Sequence, residues 1–271
     1  MNMKNINGCG LGLRSDFIFD IPTLEEKPSW LEIVPENWID TPKRYQKIFE
    51  QIASEHQLVC HGLSLSIGSY EDVDMNFLKK LKEFLDRYEI ENYSEHLSFS
   101  SLENIQTYEL LPLPMTPKEV SKVCEKVDFV QNYLKRELIL ENATYYYVPD
   151  STMSEIDFIN DIFKKSGAKM LLDINNVFVN SFNHKFNPYK YIDDLDMSKV
   201  AYYHVAGYLE YKENLWIDTH GTPVKDEVWD LTKYCLDKHK APALLERDNN
   251  IPPLDELMNE YNILKGIYDN S

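Results

Sequence analysis

Residues 168–176 read "AKMLLDINN", an apolar run that stops on Asp173 and two asparagines. Seven further runs of this kind recur along the chain: "CGLGLR" (9–14), "WLEIVPE" (30–36), "QLVCHGLSL" (57–65), "NYSEHLSFS" (92–100), "ELILENA" (137–143), "VAYYHVAG" (200–207) and "PALLERD" (242–248). Between them lie helix-start signals. In "TPKEV", Thr116 serves as cap, Pro117 takes the first helical position and Glu119 completes a capping box. In "MSEIDFINDIFKKSG", Ser154 caps, Ile156, Phe158 and Ile162 form an apolar stripe, and Gly167 stops the helix. Strand and helix alternating along one chain predict a parallel sheet with crossover helices, and eight repeats predict a closed (β/α)8 barrel of TIM type. Residues 180–196, "NSFNHKFNPYKYIDDLD", read as loop with one short helix. No Gly/Ser/Pro-rich linker or low-complexity tract divides the chain, so residues 1–271 are read as a single domain.

The place where each run stops carries the chemistry. The runs end on His61, His96, Glu141, Asp173, His204 and Glu246, all of them metal-ligand residue types. One histidine at a strand end is usually a satisfied structural residue. Parallel barrel strands, however, bring their C-terminal ends to one face, where active sites form. Several buried carboxylates on one face require cations or protons to neutralise them. The stretch "WIDTHG" (216–221) follows the seventh strand on that face, and alternate residues of an extended segment point the same way, so Asp218 and His220 are expected to ligate together. His184 in "NSFNHKFNP" is the other loop histidine within reach. The set His61, His96, Glu141, Asp173, His184, His204, Asp218, His220 and Glu246 exceeds one coordination sphere and predicts two or three metals. Mixed nitrogen and oxygen ligands without thiolate suit zinc, manganese or iron, and spacing does not choose among them. His56 and His239 stand near the ends of polar helices and read as surface residues. Asn142 and Asn176 read equally well as turn caps or as supports of the ligands. Arg14 and Arg247 read as structural salt-bridge partners. Tyr145, Tyr146 and Tyr202 flank strand ends, where cleft lining and coincidence explain them equally.

Composition narrows the function classes. A formal charge of −17 disfavours a nucleic-acid partner, which needs clustered Lys and Arg. No apolar segment approaches a membrane span, and the N-terminal "MNMKNINGCGLGLR" lacks a secretory apolar region, so no membrane role is expected. Four cysteines, Cys9, Cys60, Cys124 and Cys235, lie far apart without a C-x-x-C, as expected of unpaired thiols in a cytoplasmic protein.

The motifs "GLGLR", "WLEIVPENW", "CHGLSLSIG", "SEHLSFS", "LLPLP", "ILENATYY", "LLDINNVFVN", "YYHVAGY", "IDTHG" and "LLERDNNIPPL" stand in that order from about Gly8 to Leu254. Together they resemble the multinuclear non-haem iron-dependent oxidative enzymes of ribosomal peptide natural-product (RiPP) biosynthesis, the family that includes the methanobactin oxazolone/thioamide enzyme. The resemblance implies a TIM-type barrel holding two or three irons, at least one cycling between Fe(II) and Fe(III), that activates O2. It implies a ribosomal precursor peptide as substrate, most often modified at cysteine, and a small partner protein that recognises the leader. It carries over as ligands His61, His96, Glu141, Asp173, His204, Asp218, His220 and Glu246, and also His184 in "NSFNHKFNP"; Asp218, His220 and Glu246 are the expected catalytic group. The competing reading is a divalent-metal hydrolase or sugar isomerase on the same barrel. A third, a metal-dependent binding module without chemistry, is disfavoured by the intact ligand set.

Overall fold

A computed structural model describes residues 6–102 and 105–271. In chain order its first half comprises β1 (Cys9–Gly12), β2 (Trp30–Ile33), α1 (Lys43–Glu55), β3 (Leu58–Gly62), α2 (Met75–Arg87), β4 (Tyr93–His96), β5 (Phe99–Leu102), β6 (Ile105–Leu111), α3 (Pro117–Leu134) and β7 (Leu138–Glu141). There follow α4 (Glu155–Ser166), β8 (Lys169–Asp173), α5 (Ile174–His184), α6 (Pro188–Asp194), β9 (Val200–Val205), β10 (Tyr208–Lys212), β11 (Leu215–Asp218), α7 (Asp226–Lys238), β12 (Ala243–Leu245) and α8 (Leu254–Asp269). Eight strands close into a parallel barrel in the order β1-β12-β9-β8-β7-β4-β3-β2. All eight barrel strands fall within the runs read from the sequence. The first unit departs from the pattern: a single 3-10 turn, Ile21–Thr23, joins β1 to β2 in place of a helix.

Alternation along each strand builds two apolar layers. Outward side chains, among them Leu31, Cys60, Tyr93, Leu140, Leu172, Tyr203 and Leu245, pack with helix residues such as Phe49, Leu81, Val127, Ile159 and Leu231. Inward side chains Trp30, Val59, Ile139, Leu171, Tyr202 and Leu244 form a separate cluster, the floor of the barrel interior. Each aliphatic side chain so buried contributes about 1.5–3 kcal/mol. Trp30 lies across this floor because β1 offers no side chain opposite it: a Cβ on Gly10 would stand 2.5 Å from the indole ring.

The helices begin largely as the sequence indicates. Thr116 Oγ1 accepts from the Glu119 backbone N–H at 3.2 Å, but the carboxylate of Glu119 pairs with Lys122 and not with the cap, so the capping box is only half formed. Ser154 accepts from the Asp157 N–H at 3.1 Å, and Gly167 closes α4 at φ 71°. Two antiparallel hairpins, β5–β6 and β10–β11, are inserted after β4 and β9. Residues 180–184, read from the sequence as loop, are the last turn of α5, and α6 follows as the short helix. Among the described residues no helix is long and apolar enough to cross a membrane.

Candidate metal centre

Two residues beyond the floor, hence on the same face of each strand, the inward side chains become polar. Trp30 is followed by Glu32, Val59 by His61, Ile139 by Glu141, Leu171 by Asp173, Tyr202 by His204 and Leu244 by Glu246, all of them buried. On β4 the corresponding buried residues are Ser94 and His96. The apolar floor closes the pocket from below, and the polar layer opens at the C-terminal mouth, the usual seat of chemistry in this fold.

On one side of the mouth, His61 Nε2, His96 Nε2 and Glu141 Oε2 lie 3.0–3.2 Å from one another. His96 Nδ1–H donates to the Gly62 carbonyl at 3.2 Å, which turns its Nε2 lone pair to the other two atoms. Asn176 Nδ2 donates to Glu141 Oε1 at 3.1 Å and to the Asn142 carbonyl at 3.0 Å, leaving Oε2 directed inward. Ligands bound to one ion at about 2.0–2.2 Å stand roughly 3 Å apart. The triangle therefore has the size of one coordination sphere.

The other side is built around His204, His220 and four carboxylates, Glu32, Asp173, Asp218 and Glu246. Glu246 Oε2 is 2.8 Å from His204 Nδ1 and 3.1 Å from His220 Nδ1. His220 Nε2 is 2.8 Å from Asp218 Oδ1 and 3.6 Å from Asp173 Oδ2, and the latter is 4.0 Å from His204 Nδ1. Glu32 Oε1 approaches His204 Nε2 to 2.9 Å. Besides His61/His96/Glu141, the sets Glu32/His204/Glu246, Glu141/Asp173/His204 and Asp173/His220/Glu246 each bring three ligand atoms within 4.8 Å. Glu141, Asp173, His204 and Glu246 each belong to two sets, so the sets are contiguous and share walls.

Asp218 and His220 reach this group from the β10–β11 hairpin, which α5 holds in place. Asn183 Oδ1 accepts from the Trp216 N–H at 3.0 Å and Asn183 Nδ2 donates to its carbonyl at 2.9 Å, as a neighbouring strand would. The Trp216 ring stacks on Phe182 with centroids 3.6 Å apart. Asn175 Nδ2 donates to Asp218 Oδ1 at 2.8 Å, and the Asp218 N–H donates to the Tyr146 hydroxyl at 2.9 Å. His220 adopts φ 45°, a left-handed conformation that costs a non-glycine residue about 1–3 kcal/mol. Its carbonyl accepts from the Asp248 N–H at 2.8 Å, which helps to hold that conformation.

Carboxylates crowd this pocket: burial lowers the imidazole pKa values, but the facing carboxylates outweigh it at His204 and His220, which are held well above the usual range, and at His61, raised to about 9. Glu32, Glu141, Asp173, Asp218, Glu246 and Asp248 face one another, and Arg14, paired with Asp248 and 3.5 Å from Glu246, is the guanidinium that touches them. Burial pushes the Asp173 carboxyl well above the usual carboxylate range. At Glu141 burial acts in the same direction but is outweighed by His96 and His61, which hold the carboxyl down to about 2. Burial also drives the His96 imidazole down to about 4. Glu141 Oε2, both ring nitrogens of His204 and His220 Nε2 are buried 2.8–3.0 Å from an ion-pair partner but without hydrogen-bond geometry, and Asp173 Oδ2 has its nearest imidazole nitrogen at 3.6 Å. Buried polar atoms left so poorly satisfied cost about 1–3 kcal/mol each. Multivalent cations would satisfy them together, and the oxygen and nitrogen donors fit iron, manganese or zinc.

Of the residues singled out in the sequence, His61, His96, Glu141, Asp173, His204, Asp218, His220 and Glu246 are brought together here. His184 is not. Because α5 continues through it, the residue after Phe182 and Asn183 turns about a further 100° around the helix, and its ring stacks on Tyr145 with Nε2 2.8 Å from the Tyr145 carbonyl. Nor do Asp218 and His220 meet through strand alternation: β11 ends at Asp218, and the reversal at His220 brings the two side chains face to face. His56 and His239 are half-buried and follow α1 and α7 at the opposite end of the barrel. Arg247 pairs with Glu260 of α8 at 2.7 Å, as read, whereas Arg14 reaches the centre itself. Glu32, Asn175 and Asp248 were missed. A carboxylate inside the run "WLEIV" was the signal available for Glu32; Asn175 and Asp248 carry no comparable mark.

A family model described as RiPP precursor modification enzyme MbnB/TglH/ChrH matches residues 8–269. The UPF0276 protein of Acinetobacter baylyi is 40% identical over 264 residues, 97% of this chain and 92% of that protein. Among solved structures, a D-tagatose 3-epimerase-like protein superposes with TM-score 0.61 at 14% identity, covering 97% of each chain. Endonuclease IV from Thermus thermophilus gives 0.60 at 11%, covering 98% of this chain and 100% of that one. At such identities these two likenesses establish the barrel fold and nothing about chemistry.

Proposed function

The chain belongs to the family of RiPP precursor modification enzymes, and from that premise we propose that it is a multinuclear non-haem iron oxidase that uses O2 to modify a ribosomal precursor peptide at cysteine. The observation that carries the metal reading is the contiguity of the four ligand sets, in which Glu141, Asp173, His204 and Glu246 are shared. Two or three irons held by His61, His96, Glu141, Asp173, His204, Asp218, His220 and Glu246 would supply O2 binding, electron transfer and a seat for the substrate thiolate.

The protein's own contribution is positional. Asn176 holds Glu141 with one oxygen inward, Asn175 and Tyr146 hold Asp218, and the left-handed turn at His220 aims its ring between Asp218 and Glu246. Asp218, His220 and Glu246 line the mouth side and form the catalytic group of this reading. The floor of Trp30, Val59, Ile139, Leu171, Tyr202 and Leu244 keeps water from entering below, so charges in the layer above act in a low-dielectric setting. A flexible precursor loses conformational freedom on entering this pocket, and a small leader-binding partner would offset that by raising its local concentration. The cysteines are free thiols, in keeping with a cytoplasmic setting.

The test combines anaerobically Fe2+-loaded protein, its partner and a cysteine-containing precursor, with dissolved O2 and peptide mass followed together. Oxygen uptake matched to a change in peptide mass, faster with the partner present, is the expected result. The same mass change without O2 or any other oxidant would reject the oxidase and leave a metal-dependent hydrolase. Full activity with zinc alone would do likewise.

A further inference from the structure

Beneath the ligands runs a hydrogen-bond chain that the metal reading does not use. His61 Nδ1 is 2.8 Å from Ser94 Oγ, Ser94 Oγ is 2.7 Å from the Tyr202 hydroxyl, and the Tyr202 hydroxyl donates to Glu32 Oε2 at 2.7 Å. The other oxygen of Glu32 lies 2.9 Å from His204 Nε2. All five residues are buried. One chain thus joins a member of the His61/His96/Glu141 set to members of the Glu32/His204/Glu246 set.

The inventory of donors gives this chain a direction. The Tyr202 proton goes to Glu32 Oε2. When His61 Nε2 gives its lone pair to a cation, the ring proton stands on Nδ1 and is accepted by Ser94 Oγ at 2.8 Å, and the single Ser94 proton goes to the Tyr202 oxygen or to the Cys60 carbonyl at 3.3 Å. Tyr202 is itself fully buried: it belongs to the barrel floor, its ring nearly perpendicular to that of Trp30 at a centroid distance of 5.6 Å.

We propose that Tyr202 is a positioning residue of the metal centre, which through Ser94 orients His61 and through Glu32 holds a carboxylate oxygen against His204, so that one hydroxyl serves both sides of the site. The inference rests on the metal reading above but not on iron, O2 or a peptide. Groups that orient metal ligands through hydrogen bonds typically change metal affinity about 10–100-fold.

The test uses Co2+ alone, titrated into the metal-free full chain and followed by calorimetry and visible ligand-field absorption. Tyr202→Phe keeps the ring and its packing. Its metal-free melting temperature should stay within a few degrees of wild type, while Co2+ affinity falls about tenfold or more at more than one site and the absorption bands shift. Ser94→Ala removes the link to His61 only and should weaken fewer sites. In the double variant the losses should be less than additive, because both changes cut one chain. Wild-type affinity and spectrum in Tyr202→Phe would overturn the proposal, as would strict additivity. Should Tyr202→Phe fail to fold, wild-type Co2+ binding by Ser94→Ala overturns it. A wild-type chain that binds no Co2+ would overturn the metal reading and this proposal together, an outcome distinguishable because it precedes any variant.

Discussion

Glu141 stands in two ligand sets and His96 in one, and elemental analysis can register that difference. Glu141→Gln is expected to lower metal content at more than one position, His96→Ala at one, each with the barrel core intact, because removing a ligand weakens a site without touching the apolar layers. Equal losses from the two variants would contradict the sharing of Glu141. His184→Ala should leave metal content unchanged and destabilise by about 1–2 kcal/mol through its lost stacking on Tyr145 and the carbonyl left unpaired. Metal loss as large as that of His96→Ala would return His184 to the centre. At this scale the strand-end cluster could be read from the chain because six apolar runs each stop on His, Asp or Glu and parallel strands carry those ends to one face. His184 could not be separated from them, since its direction depends on whether residues 180–184 are helical.

Among the elements, β1 and α5 set the limits of what patterning reveals. Gly10→Ala would drive a Cβ to 2.5 Å from the Trp30 ring, and overpacking of this kind is expected to destabilise by about 1–3 kcal/mol. Gly266→Ala in α8 meets nothing within 4 Å and should stabilise by about 0.5–1 kcal/mol. Chemical denaturation of both variants checks the pair, and a neutral Gly10→Ala would mean that the floor yields to the added methyl. The barrel strands were legible because strands buried on both faces are unbroken apolar runs. The β10–β11 hairpin was not: its first strand is largely exposed beyond Tyr208, and it is held by Asn183 and Phe182 of α5, contacts between segments some 33 residues apart.

For the molecule as a whole, the crowded carboxylates of the proposed metal centre are expected to make stability depend on bound cations. Ligands that bind only the folded state stabilise it by RT ln(1 + [L]/Kd), about 2.7 kcal/mol at a hundredfold excess over Kd. In a chain of this size that is a shift on the order of 5–10 °C. Chelation followed by a thermal melt should lower the midpoint by that amount, and re-addition of Fe2+ under anaerobic conditions should restore it. A midpoint indifferent to chelator would count against occupied metal sites. The sequence by itself determined the closed parallel barrel, the face on which the chemistry gathers and the identity of most of its polar layer, because strand alternation and the shared direction of parallel strands are local and periodic properties. Only the tertiary structure decided that His184 turns away, that Glu32 enters from the middle of an apolar run, and that Asp218 meets His220 across a left-handed turn. Those outcomes rest on helix phase, barrel closure and a single backbone dihedral, and no periodicity along the chain records them.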